Sequence, residues 1–131
     1  MLPITLKKDV DNLFSILPAD EQKTKELAQR EGVAQSVAAM VLTVGEEERG
    51  YVLFATERDM AEIVCLRSLD ADLEEWLVRA ALNAAVNRNA ITATCSDPVL
   101  FPLLKRLGFE ANGAKYEVFI PEFFTRPCCG G

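Results

Sequence analysis

The chain contains no histidine. That removes the Ser–His and Cys–His nucleophile pairs, the histidine general base and every histidine metal ligand. Basic residues are scarce as well. Lys and Arg total 14 against 20 Asp and Glu, a net charge of −6, which disfavours nucleic acid or an anionic membrane as partner because both need clustered cations. No apolar run approaches the ~18 residues that span a bilayer. The opening MLPITLKKDVDN reaches charge too early for the apolar core of a secretory signal. Cysteine is sparse: Cys65 and Cys95 lie in apolar, strand-like runs, and Cys128-Cys129 stand near the end. This is not the even spacing of a secreted disulfide framework, so a cytoplasmic address is expected.

What is present suits one globular domain. Half of the 131 residues are hydrophobic and 26% are charged, and a chain of this size buries roughly two-thirds of its unfolded surface. Residues 2–6 read as a short strand. Val10, Leu13, Phe14 and Leu17 recur at helical spacing and predict a helix that stops at Pro18. Residues 19–31 read as a second, surface helix with Gly32 as its stop. Strands are predicted over 37–44 and 51–57 around the GEEERG loop, then over 61–69 after a tight turn. The helix over 71–88 carries a stripe of Leu73, Trp76, Leu77, Ala80, Ala81 and Ala84, which predicts a core-facing Trp76. A strand over 90–95 follows. Ser96-Asp97-Pro98 then starts a helix that Pro102 should tighten and Gly108 should end, and a last strand covers 116–120. The expected layout is a single domain over 1–121 with a tail over 122–131.

The most telling stretch is 61–90, a buried strand running directly into a long helix. Such junctions often hold a phosphate, since free amides and the helix dipole both favour an anion. Here the junction has no glycine and carries Asp70, Asp72, Glu74 and Glu75.

Three local matches set this order of elements beside a known family: ITLKKDVDNLFSIL at the start, AEIVCLRSL as a fourth strand, and LLKRLGFE (103–110) near the end. Together with the element order they resemble the GNAT family of N-acetyltransferases, over nearly the whole chain. The resemblance implies an α/β fold with a central mixed β-sheet flanked by about four helices. It also implies transfer of an acyl group from acetyl-CoA to an amine, with the cofactor held by Leu66, Arg67, Ser68, Leu69, Asp70, Ala71 and Asp72. Three family positions differ in this chain. The cofactor loop's Gln/Arg falls on Leu69 and its glycines on Asp72 and Glu74. The asparagine after the fifth strand falls on Asp97, and the tyrosine that protonates the leaving thiolate falls on Leu104. Carboxylates in place of glycines obstruct a pyrophosphate and repel it, by roughly 1–3 kcal/mol for a like-charge pair ~5 Å apart. Arg67 is the one cation expected nearby.

Each candidate residue also has a plain structural explanation. Acidic residues in a first helical turn complement the macrodipole; the functional alternative is binding of a cation or an amine. Glu62 stands where the family places a carboxylate base near the acceptor amine, or is a solvated residue at a strand start. Glu57 is a weaker candidate of the same kind. Cys65 and Cys95 read as small buried hydrophobes, with thiol reactivity at Cys95 worth a test. Adjacent Cys128-Cys129 lack tetrahedral metal spacing, and no metal site is expected. Phe123-Phe124 either seal the domain's own core or dock a second subunit as a homodimer.

The expectation is therefore a divergent GNAT-like protein with a degenerate acetyl-CoA loop, acting on an unknown small molecule or protein. The alternative is an active acetyl-CoA-dependent N-acyltransferase.

Overall fold

The computed structural model describes residues 14–125. Its described elements are β1 (Phe14–Pro18), α1 (Glu21–Glu31), β2 (Ala38–Val44), β3 (Glu47–Glu57), β4 (Met60–Ser68), α2 (Glu74–Val86), β5 (Thr92–Cys95), α3 (Phe101–Arg106), β6 (Glu110–Asn112), β7 (Lys115–Phe119) and α4 (Ile120–Thr125). Short 3₁₀ turns at Ala71–Leu73 and Pro98–Leu100 precede α2 and α3. The strands form one mixed sheet in the order β1-β2-β3-β4-β5-β7-β6. Among the described strands only the β4–β5 pair is parallel.

Phe14–Leu17 is a strand, not the end of a helix. It pairs antiparallel with β2, Phe14 opposite Val44 and Pro18 opposite Met40. Without β1 the backbone of β2 would present an unpaired edge, and that cross-chain pairing outweighs a helical spacing of only two turns. The predicted strand over 2–6, Val10 and Leu13 lie outside the described residues, as does Cys128-Cys129. The described chain thus has one helix, not two, before the β2–β4 meander.

Local chemistry accounts for the ends of α1. Asp20 accepts from the Lys23 N–H at 2.8 Å, and Gly32, at φ 69°, donates to the carbonyls of Ala28 and Gln29. Pro102 does not kink a helix interior. The chain makes a 3₁₀ turn over Pro98–Leu100, with Asp97 accepting from the Val99 N–H, and Pro102 then sits in the opening turn of α3.

Two layers cover the sheet. Leu42, Val52, Phe54, Ala61, Ile63 and Leu66 form the main core with Leu77, Val78, Ala81, Leu82 and Ala85 of α2. The buried face of α2 is rotated from the predicted stripe, and Trp76 is 44% exposed. Its ring lies against Phe14 at 5.8 Å, covering the edge strand instead of entering the core. The apolar residues of α2 run round more than one side, so periodicity admits more than one stripe and the sheet selects among them. Phe123 of α4 is buried in the same core, edge-on to Phe109. On the opposite face Leu27 of α1 packs on Ala39, Tyr51, Leu53 and Cys65.

Candidate functional site: the β4–β5 opening and the β4–α2 junction

The parallel contact between β4 and β5 lasts only from Met60–Glu62 to Thr92–Thr94. Beyond it, β4 continues to Ser68 against β3 alone, while Cys95 pairs with Tyr116 of β7. An opening therefore separates the two strands, and Glu62 and Thr94 form its last rung. A register shift opposite Leu53/Phe54 leaves Val64 unpaired just past that rung, the kind of bulge that bends a strand.

Glu62 is half-buried and accepts from Gln35 Nε2 at 3.4 Å. Cys95, fully buried, lies across the opening. Burial pushes its thiol up; a backbone hydrogen bond from Asp97 opposes this, and the charges of Asp97 and Glu62 add to it. Cys65 is pushed up to about 12, chiefly by burial, with Asp97 among the lesser contributors. Asp97 thus meets the Cys95 thiol through its backbone while its side chain caps the turn at 98–100. Both cysteines are held as neutral thiols, the opposite of what a nucleophile requires. Glu57 ends β3 opposite Met60, outside the opening.

The junction residues lie at the far end of β4, roughly 13 Å along the strand from Glu62 to Leu66 at ~3.3 Å per residue. Leu66 is in the core, Leu69 is 71% exposed, and Ala71 and Asp72 are exposed. Arg67 does not face the acidic residues. It donates to Glu31 Oε1 at 2.9 Å, and Tyr51 donates its hydroxyl to Glu31 Oε2, tying α1 to the sheet. Burial raises the Glu31 carboxyl, but the Tyr51 and Arg67 hydrogen bonds outweigh it and leave it below the usual range.

The junction's compensating cations come from elsewhere, and sequence reading missed both. Arg49 of β3 grips Asp70 through two nitrogens and holds its carboxyl low, and Arg79 pairs with Glu75 at 2.9 Å. The Arg79–Glu75 spacing of one helical turn was a readable signal. Arg49 sits in the predicted GEEERG loop, 21 residues from Asp70, and only sheet register brings it there.

The amides at the junction are largely spoken for. Leu69 N–H donates to Arg49 O at 2.9 Å, Asp70 N–H to Ser68 Oγ at 3.1 Å, Leu73 N–H to Asp70 O at 3.0 Å and Glu74 N–H to Ala71 O. Ser68 in turn donates its hydroxyl to Asp70 O at 2.8 Å. Leu104, at the family's tyrosine position, is fully buried. Among the described residues no group of three Cys, Asp or Glu is placed to hold a metal ion, and no helix is long and apolar enough to cross a membrane.

Neither a protein-family model nor a curated protein sequence matches the chain. Solved structures do. FeeM, an N-acyl amino acid synthase from uncultured soil microbes, superposes with a TM-score of 0.67 at 13% identity, covering 89% of this chain and 95% of that one. A GNAT family acetyltransferase from Brucella melitensis in complex with acetyl-CoA gives 0.61 at 14% identity, covering 82% and 88%. N-acetylglutamate synthase from Neisseria gonorrhoeae, complexed with coenzyme A and N-acetylglutamate, gives 0.62 at 17% identity, covering 77% of this chain and 29% of that one. With seven strands in this order, one parallel pair that opens after three rungs, and these superpositions, the chain has the GNAT acyl-CoA N-acyltransferase fold.

Proposed function

We propose that this chain is a divergent GNAT-fold protein that does not hold acetyl-CoA at the β4–α2 junction and serves as a ligand-binding or interaction domain. The occupied junction amides carry this reading. A pyrophosphate there needs several backbone N–H groups pointing outward, whereas those of Leu69, Asp70, Leu73 and Glu74 already have partners within the chain. Asp72 and Glu74 add side chains and charge where close backbone approach is required. A cytoplasmic location and a small-molecule or protein partner go with this reading.

Acetyl-CoA titration, followed by calorimetry and by melting temperature, is the test. Millimolar acetyl-CoA is expected to leave both signals flat. A saturable response at micromolar concentration overturns the proposal, since a ligand at 100 times its Kd stabilises by about 2.7 kcal/mol.

A second reading has its own support. Two of the four junction carboxylates, Asp70 and Glu75, are paired with Arg49 and Arg79, so the repulsion is weaker than composition suggests. The β4–β5 opening is present, with Glu62 at its last rung. In this reading backbone atoms of Leu66–Asp72 hold the cofactor and an amine attacks the thioester carbonyl. Glu62 takes the proton the amine releases, and Leu104 offers none to the departing thiolate. Acetyl transfer from acetyl-CoA to a panel of amines, lost in Glu62→Gln, would establish it.

A further inference from the structure

At the other end of α2, about 20 Å from the junction at 1.5 Å per residue, the surface carries a second feature, open to solvent. A cavity of about 1000 Å³ lies between α1, the 33–37 connection, the β1–β2 edge and the C-terminal half of α2. This volume stands at the upper end of small-molecule sites. Its wall is apolar at Ile16, Met40 and Phe54, and small at Ala80 and Ala84.

We propose that this cavity binds a small amphipathic carboxylate, its chain against the Met40–Phe54 wall and its head group on Arg88. The guanidinium of Arg88 lies over the Phe54 ring, 5.4 Å from the centroid, and has no carboxylate partner among the described residues. Arg88 is exposed at the rim of the cavity, where its guanidinium is open to a ligand. A planar fork of this kind matches a carboxylate through two parallel hydrogen bonds. The other cation in the wall, Lys25, is 3.7 Å from Glu21, which also lines the cavity. Among the described residues the cavity wall therefore carries one cation in excess of its acid, within a protein of net charge −6.

Three of the C-terminal carbonyls of α2, the end of a helix that disfavours an anion, accept hydrogen bonds within the chain. Ala85 O accepts from Arg88 and Ala90, Val86 O from Asn89, and Asn83 O from Asn87. Asn83 and Asn87, one helical turn apart, line the same wall and bring side-chain N–H donors to it.

This inference does not depend on how the junction treats CoA, and its test contains none. The full chain is titrated calorimetrically with octanoate, octylamine and acetate. Octanoate is expected to bind saturably, and acetate on the order of 100-fold more weakly, because it leaves the apolar wall uncovered. Octylamine should not bind. Arg88→Gln should weaken octanoate by roughly 10- to 100-fold with melting temperature unchanged. Ala84→Trp, checked for folding by circular dichroism, should abolish binding by filling the cavity. The proposal is overturned by octanoate failing to bind at millimolar concentration, by octylamine binding as tightly, or by Arg88→Gln leaving the affinity intact. Unchanged binding in folded Ala84→Trp would overturn it too.

Discussion

Arg49 donates from Nε to Oδ2 of Asp70 at 2.9 Å and from Nη2 to Oδ1 at 3.0 Å. This two-point bond fastens β3 to the loop that launches α2, and it turns an apparent anion-repelling residue into half of an ion pair. It also orients the junction: Asp70 faces the sheet, and exposed Asp72 is left as the outward carboxylate.

A pH dependence follows from that pair. The Arg49 hydrogen bond holds the folded Asp70 carboxyl below its usual range, while the unfolded chain titrates near ~3.9. The stabilisation is therefore complete above the unfolded value and is lost as pH falls through the folded one. Urea midpoints from pH 7 downward should show Asp70→Asn less stable than the wild type at neutral pH. The two should converge in strong acid. A gap that persists unchanged in acid would show that the pair's charge is not responsible.

Gly50 lies opposite Ser68, beside the junction. A Cβ there would come within 2.5 Å of Arg67 O and 3.0 Å of Ser68 Cα, both backbone atoms of the neighbouring strand. Gly50→Ala should cost about 1–3 kcal/mol, in the range of overpacked sites, measured by denaturant unfolding. A neutral result would mean that β3 and β4 can separate there without penalty.

Tyr51 is buried, and burial together with its bond to Glu31 pushes its hydroxyl up to about 12. Tyr51→Phe removes a hydrogen bond to a charged acceptor while keeping the ring. A loss of about 1–2 kcal/mol is expected. Glu31 retains Arg67, so the variant should still fold cooperatively.

The thiols of Cys65 and Cys95 should be inert. A Cys128→Ser/Cys129→Ser variant mixed with a disulfide reagent at pH 8 is expected to release no chromophore until denaturant is added, and then two equivalents from these two buried residues. Rapid labelling of the native variant would contradict the raised thiols.

Asp72→Gly with Glu74→Gly tests the obstruction at the junction. Removing both side chains lets a pyrophosphate approach the turn but leaves its internal amide bonds in place, at a helix-propensity cost of roughly 1 kcal/mol per glycine. If the carboxylates are the obstacle, the double variant should gain micromolar acetyl-CoA binding that the wild type lacks. If it gains none, the internal amide partners, not the carboxylates, close the site.

The β2–β4 meander, the Gly32 stop and the helix after residue 71 were legible because each rests on a few neighbouring residues. Alternation, a left-handed glycine and a run of good helix formers act within a turn or two of chain. The opening between β4 and β5 was not legible in this way. No single stretch of residues records that a pairing ends after three rungs.

The sequence alone established that this chain has no histidine to do chemistry with and that four acids fall within residues 70–75. Tertiary structure decided what those acids mean. Register across the sheet carried Arg49 to Asp70 and drew Arg67 away to Glu31; packing on the sheet turned Trp76 outward and made Phe14–Leu17 a strand. Charge and periodicity are properties of the chain, but which partner a charge meets depends on pairings tens of residues apart, and those exist only once the sheet has formed.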